Sequence, residues 1–561
     1  MRIALAQLNF TVGAFDGNFR KIADAVGRAR DERADLVVFS ELATTGYPPR
    51  DLLTHPGFID RNLEMLDQVA ALSTQQLAIL IGYVDRNPSP NGKSLYNAVA
   101  LCDGGRVAER RFKSLLPTYD VFDEDRYFEP ARDLEPMTLH DWRIGASICE
   151  DVWNDPVFWP KRLYHRDPIA ELDAQQVDVM INISASPFEL QKADLRRRMI
   201  RQEAIDHRCY FFYLNQVGGN DELVFDGHSI GIDPEGHDIV RLRDFEEDFA
   251  VYDVPRRGER ASSAPVLRDV SHSLEETAYR ALVLGMRDYV HKCGFSKVVL
   301  GLSGGIDSAL TACLAVDALG REHVFSVALP ARYSSEHSVR DAAALATALG
   351  IDHRVIPIDA VFQAYLDALA PTFAGASGNA TEENIQARVR GGVLMALSNK
   401  FGHLLLTTGN KSELAVGYCT LYGDMCGGFA AISDVPKMLV YRLARYVNRE
   451  REIIPVSTLT KAPSAELRPN QTDQDTLPPY DVLDQIVEAY VERSLSAEAI
   501  AALGIDPVVV HDVIRRIDGS EYKRRQAAPG IKISSKAFGL GRRYPIAADY
   551  RSIELPSKLT R

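Results

Sequence analysis

At 561 residues the chain exceeds the roughly 250–300 at which one hydrophobic core stops growing, so two compact domains are expected. Its 46% hydrophobic and 25% charged residues are ordinary for a globular protein and exclude extended disorder. A net charge of −13 excludes a general grip on nucleic acid or an anionic membrane, which rests on clustered Lys and Arg, so any phosphate must be bound locally.

The N-terminus starts apolar but meets Gln7 and Asn9 before a signal segment is complete, and no apolar run reaches the roughly 18 residues of a membrane span. A cytoplasmic protein is expected. Strands are predicted at 3–8, 36–39, 78–82, 97–102, 144–148, 179–183 and 210–214. Between 18 and 34, Phe19, Ile22, Ala23 and Val26 share a helical face. Glu41 lies just beyond the 36–39 strand, Cys149 directly follows 144–148, and Lys113 sits in Arg110-Arg-Phe-Lys-Ser-Leu-Leu-Pro117. A thiolate nucleophile, a carboxylate base and an ammonium that stabilises an oxyanion suffice for amide hydrolysis through a thioester.

Residues 255–265 have linker composition, and Ser273-Leu-Glu-Glu276 supplies a capping box for a helix reaching about residue 293. The expected division is therefore 1–255, a linker 256–272, and 273–561. Beyond it, strands at 297–302, 324–329, 354–358 and 403–408 alternate with helices from 308 and at 336–349 and 383–400. Such alternation implies a doubly wound parallel sheet with ligands at the carboxyl ends of its strands.

The most informative string runs from Val298-Val-Leu-Gly-Leu302 into Ser303-Gly-Gly-Ile-Asp-Ser308. Adjacent glycines let the backbone approach a ligand, while Ser hydroxyls and free N–H groups at a helix start surround phosphate oxygens. Asp307 suits a phosphate-bound Mg²⁺. Three other strings are weaker. Asn91-Gly-Lys-Ser94 lacks the first glycine of a Walker loop, and Gly539–Tyr544 ends in Tyr where a dinucleotide fingerprint needs Gly. Gly227-His-Ser-Ile-Gly231 matches a hydrolase elbow but runs into a turn and a strand rather than a helix. The His spacings offer no zinc motif, and the seven scattered cysteines fit a reducing compartment.

SGGIDS after a strand resembles the pyrophosphate loop of the N-type ATP pyrophosphatases. Glu383-Asn-Ile-Gln-Ala-Arg388, Thr407-Thr-Gly-Asn-Lys-Ser-Glu413, Tyr422-Gly-Asp424, Asp434-Val-Pro-Lys437 and Pro529-Gly-Ile-Lys-Ile-Ser-Ser-Lys536 narrow the resemblance to NAD synthetases. It implies a Rossmann-like sheet that binds ATP at Ser303, Gly304, Gly305, Ile306, Asp307, Ser308, Thr408 and Lys437. It also implies Mg²⁺ at Asp307 and Glu413, and deamido-NAD at Asn384, Arg388 and Lys536. The first half resembles the nitrilase superfamily through Glu41-Leu-Ala-Thr-Thr-Gly-Tyr47, Lys113 before Leu-Leu-Pro, Cys149-Glu-Asp151 and Asn182-Ile-Ser-Ala-Ser186. That likeness implies an αββα sandwich, a Glu41–Lys113–Cys149 triad, and glutamine contacts at Tyr119 and at Ser184 or Ser186. Together the halves resemble NAD synthetases that draw ammonia from glutamine, and relatives of this design imply a homo-oligomer. Ammonia is mostly ammonium at neutral pH, so a sheltered route to the acceptor is expected.

Overall fold

The computed structural model describes residues 1–550 apart from 156, 157, 160, 257, 258 and 260–262. The chain divides into two compact units, Met1–His272 and Ser273–Arg561.

In the first unit, β1 (Arg2–Gln7), α1 (Phe15–Asp31), β2 (Leu36–Val38), α2 (Pro56–Ala70) and β3 (Ala78–Arg86) form parallel strands with helical crossovers. They are followed by the antiparallel β4 (Leu95–Asp103) and β5 (Arg106–Phe112). Next come β6 (Met137–Leu139), β7 (Trp142–Ile148), α3 (Pro168–Asp173), β8 (Val179–Ser184), α4 (Lys192–Asp206) and β9 (Tyr210–Asn215). The unit ends with β10 (Val217–Asn220), β11 (Leu223–Asp226), β12 (Ile230–Ile232), β13 (Asp238–Arg241), β14 (Asp248–Asp253) and β15 (Val266–Leu267). One sheet runs β14-β1-β2-β3-β4-β5 and the other β15-β13-β12-β9-β8-β7-β6.

Alternation along each strand decides the layers. Ile3 and Leu5 of β1 join Leu80, Ile144, Ile148, Ile181 and Leu214 in a core between the sheets, while Ala4 and Ala6 point the other way, into a cluster with Ile22 and Val26 of α1 and Met65 and Leu66 of α2. On the far side Met180, Phe211 and Tyr213 pack with Ile169, Leu172, Met199 and Ile200 of α3 and α4. The result is an αββα sandwich.

In the second unit, α5 (Leu274–Lys292) precedes β16 (Val298–Gly301), α6 (Ile306–Leu319), β17 (Val324–Ala328), α7 (Glu336–Leu349), β18 (Asp352–Val355), α8 (Asp359–Leu369), α9 (Ala380–Phe401), β19 (Leu404–Leu406), α10 (Lys411–Val416) and α11 (Lys437–Val447). The sheet is parallel throughout, in the order β18-β17-β16-β19. Strand order reverses at β16, which opens a crevice beyond the carboxyl ends of β16 and β19. Helices Tyr480–Val487 and Pro507–Gly519 build a further core against α10 around Leu483, Ile486, Val513 and Ile517. No helix among the described residues is long and apolar enough to cross a membrane.

Two expectations shift. The strand expected at 354–358 starts two residues earlier, because Asp352-His-Arg-Val355 is a largely exposed edge whose pairing with β17 leaves no apolar alternation to read. Within the expected linker 256–272, Val266–Leu267 pair in parallel with Val240–Arg241 and so belong to the second sheet of the first unit. Residues 257, 258 and 260–262 lie outside the described residues.

Candidate active sites

Glu41, just past β2, and Lys113, just past β5, are fully buried, and Lys113 Nζ lies 2.8 Å from Glu41 Oε1. The same ammonium reaches Glu124 Oε1 at 2.9 Å and Oε2 at 2.8 Å. Tyr47 donates its hydroxyl to Glu124 Oε1 at 2.8 Å, and the Ala185 N–H beyond β8 donates to Glu41 Oε2 at 2.9 Å. Burial alone works against the Lys113 ammonium, but Glu124 and Glu41 outweigh it and hold its pKa well above the ordinary range. Burial raises that of Glu124, against the pull of Lys113 and with the like charge of Glu41 adding to it.

Cys149 opens a short 3₁₀ turn after β7 at φ 43°, a left-handed conformation costly for a side chain with a Cβ. Asp151 fixes that turn. Its Oδ2 accepts from Ile148 N at 3.0 Å, and its Oδ1 accepts from Ser114 N and Leu115 N at 2.9 Å each, so one carboxylate joins the cysteine turn to the residues after Lys113. Burial, with the charge of Glu41, pushes the Cys149 thiol well above its ordinary pKa, while Lys113 opposes the rise. The resting group is a thiol, and attack requires a base beside it. Next to it, buried Glu150 accepts from Tyr119 at 2.9 and 3.0 Å and from Tyr164 at 3.0 Å.

In the second unit a cavity of about 520 Å³ lies at the switch point of the sheet. Its wall includes Ser303, Gly305, Ile306, Asp307, Ser308, Asn384, Thr408, Glu413 and Lys437. Gly304 carries φ +78°, and a Cβ there would stand 2.3 Å from Ser338 O, so the turn into α6 admits only glycine. Asn410 caps α10 by accepting from Glu413 N at 3.0 Å, and its Nδ2 donates to Asp307 Oδ1 at 2.9 Å. Lys437, first residue of α11, sends Nζ to Asp307 Oδ2 at 2.6 Å and to Glu413 Oε1 at 3.3 Å. Burial raises the Glu413 carboxyl even though Lys437 opposes it, with Asp307 adding like charge.

The comparisons with known proteins agree across the whole chain. The family model for NAD synthase matches residues 278–527, and that for carbon-nitrogen hydrolase matches 2–262. The glutamine-dependent NAD(+) synthetase of Synechocystis sp. is 48% identical, covering 97% of this chain and 98% of its own. The chain belongs to the glutamine-dependent NAD(+) synthetases. The synthetase of that name from Thermotoga maritima is 44% identical over 98% of this chain and 99% of its own. A solved glutamine-dependent NAD+ synthetase from Acinetobacter baumannii, in complex with ADP, is 39% identical, covers 97% of this chain and 98% of its own, and superposes with a TM-score of 0.75.

Within this member of the synthetase family, Glu41 and Lys113 meet directly, and Cys149 feels both charges. Tyr119 is 43% exposed while its hydroxyl rests on Glu150. Ser184 Oγ donates to Asn182 Oδ1 at 2.7 Å within β8, whereas Ser186 lies past the strand with its N–H held by Asn215 Oδ1 at 2.9 Å. Asn384 is on the cavity wall, with Oδ1 accepting from Thr420 Oγ1 at 2.8 Å. Arg388, one turn further along α9, is exposed, and its Nε donates to Leu421 O at 3.2 Å. The Lys536 main chain is held by fully buried Lys411, whose Nζ also meets Asp434, Glu492 and Ser534. That network ties the Asp434 string to the 529–536 string in space.

Sequence reasoning missed Glu124, which sits among Asp120, Asp123 and Asp125 in a polar loop where nothing local distinguishes it from a solvated acid. The elbow-like Ser229 is buried and donates to Gln7 Oε1 at 2.8 Å, and β12 follows it, so it is a structural serine.

Proposed function

We propose that the first unit releases ammonia from glutamine at Cys149 and that the second uses ATP and this ammonia to amidate deamido-NAD. The observation that carries the reading is the presence, in one chain of this family, of two separate charge clusters. One is a fully buried Glu41–Lys113 pair beside a buried thiol, and the other an Asp307–Lys437–Glu413 set on the wall of an open cavity.

In the first reaction Glu41 takes the thiol proton as Cys149 Sγ attacks the glutamine carboxamide carbon. Lys113 and the N–H of Glu150 stabilise the oxyanion, and ammonia departs with a proton returned from Glu41. Water, deprotonated by the same carboxylate, then cleaves the thioester and glutamate leaves. Tyr119 and one of Ser184 and Ser186 are assigned to the substrate.

In the second reaction the nicotinate carboxylate displaces pyrophosphate from the α-phosphorus of ATP, and ammonia attacks the acyl-adenylate to give NAD+ and AMP. The loop Ser303–Ser308, Thr408 and Lys437 are assigned to ATP, and Asn384, Arg388 and Lys536 to deamido-NAD. Asp307 and Glu413 offer the hard oxygen donors that Mg²⁺ prefers, and they would hold it. Bound there, the ion would offset the charge that builds as pyrophosphate leaves. Lys437, buried and preorganised, adds positive charge at the same place. A cytoplasmic location and a homo-oligomer complete the reading, the latter resting on the family resemblance alone.

The test is Cys149→Ala in the full chain. Glutamine-supported NAD+ formation should fall by about 10⁴-fold or more while ammonium-supported formation stays within about twofold, because only the first reaction uses the thiol. Loss of both, or of neither, defeats the two-site reading.

A further inference from the structure

Asn97, near the start of β4, touches every charged member of the buried cluster. Its main-chain carbonyl accepts from Lys113 N at 2.9 Å, its Nδ2 donates to Glu41 Oε1 at 2.7 Å, and the same Nδ2 lies 3.4 Å from Glu124 Oε2. The residue is 1% exposed, and its Oδ1 has no hydrogen-bond partner among the described residues. A carbonyl oxygen buried without a protein partner carries a penalty that an apolar residue of similar volume would avoid. The amide is therefore kept for its N–H groups. Turning it over would set its oxygen against two carboxylates, so charge fixes the nitrogen toward them.

One ammonium cannot neutralise two carboxylates. Lys113 faces both Glu41 and Glu124, and in such a dyad the remaining donors decide which member stays ionised. Lys113 reaches both oxygens of Glu124 but one of Glu41, and Tyr47 also donates to Glu124, so what favours charge on Glu41 is the short Asn97 contact and the Ala185 N–H, Asn97 reaching Glu124 only at the long distance. The titratable groups around the amide are Glu41, Lys113, Glu124, Tyr47 and Cys149, with Glu150 beyond the thiol.

We propose that Asn97 is a positioning residue that keeps Glu41 as the ionised carboxylate of the pair, so that Glu41 and not Glu124 takes the Cys149 proton. This rests on the glutaminase reading above. The main-chain bond to Lys113 survives any substitution, so side-chain variants isolate the amide's effect.

The experiment is the pH profile of glutamine hydrolysis by the full chain carrying Asn97→Leu or Asn97→Asp. Removing a donor disfavours the charged base. In Asn97→Leu, kcat should drop about tenfold with KM for glutamine within about twofold, and the acid limb should move up by about one pH unit. Asn97→Asp, nearly isosteric and adding like charge, should move the limb further the same way; it keeps the test decisive if the Leu variant does not fold. An acid limb at its wild-type position in Asn97→Asp overturns the proposal. Cys149→Ala serves as the separate control: if it still hydrolyses glutamine, the glutaminase reading fails and not merely the role of Asn97.

Discussion

The two charge clusters solve opposite problems. Around Lys113 the charges are fully buried and satisfied by one another and by fixed donors, Ala185 N–H, Asn97 and Tyr47. Around Lys437 the ammonium is just as buried, but the carboxylates it holds are 17% and 18% exposed on a cavity wall. On the proposed reading, a neutral carboxamide needs a nucleophile and base ordered in advance, with water needed only to cleave the thioester. On the same reading, a polyphosphate and its cation bring their own charge, so their receptor leaves carboxylate oxygens within reach.

The sharpest way to break this contrast is to remove each ammonium. Lys113→Met leaves two buried carboxylates without a cation, so the first unit should lose about 3–5 kcal/mol of stability along with glutamine hydrolysis. Lys437→Met should cost only on the order of 1–2 kcal/mol, because water reaches its partners through the cavity, yet slow AMP formation by about 10²–10³-fold. Calorimetric melting of both variants checks the ranking, and equal losses would erase the distinction between a closed and an open cluster.

A smaller effect is expected at Gly304. Gly304→Ala places a Cβ 2.3 Å from Ser338 O at φ +78°. It should raise KM for ATP about tenfold at a stability cost of about 2 kcal/mol. Steady-state kinetics with ammonium as nitrogen source isolates this loop from the first unit.

The smallest effect concerns a third cluster of intermediate burial. His207 contacts Glu203 at 3.2 Å and Asp173 at 3.0 Å, and the Glu203 bond, opposed by burial and aided by Asp173, raises its pKa to about 9. A raised pKa means that the protonated form is favoured in the fold. Its contribution is therefore complete below the ordinary histidine value and is lost as pH rises through about 9. His207→Gln should lower stability by on the order of 1 kcal/mol at pH 6, with the difference from wild type vanishing by about pH 10. A pH series of melting temperatures reads it.

Much of this was legible before any coordinates. The parallel sheet of the second unit is announced by strand and helix periods in strict alternation, and SGGIDS marks the turn into α6, where Gly304 leaves no room for a Cβ. Glu41, Lys113 and Cys149 stand at strand ends, where family motifs pick them out. Asn97 and Glu124 were not legible as members of the buried cluster. One reads as an ordinary strand position and the other as one acid among several; their roles come from β4 and a distant loop meeting Lys113 in space. The short strands from β10 to β12 were missed for a related reason: three or four residues carry too little alternation to show a period.

The most direct test of the account is isotopic. The wild-type chain is incubated with deamido-NAD, ATP, Mg²⁺ and glutamine labelled with ¹⁵N in the amide, and the products are resolved by mass spectrometry. The account predicts ¹⁵N-labelled NAD+ formed together with AMP and pyrophosphate, and label lost from NAD+ when Cys149 is replaced by Ala. Unlabelled NAD+ from the wild type, or ADP and phosphate in place of AMP and pyrophosphate, would contradict it.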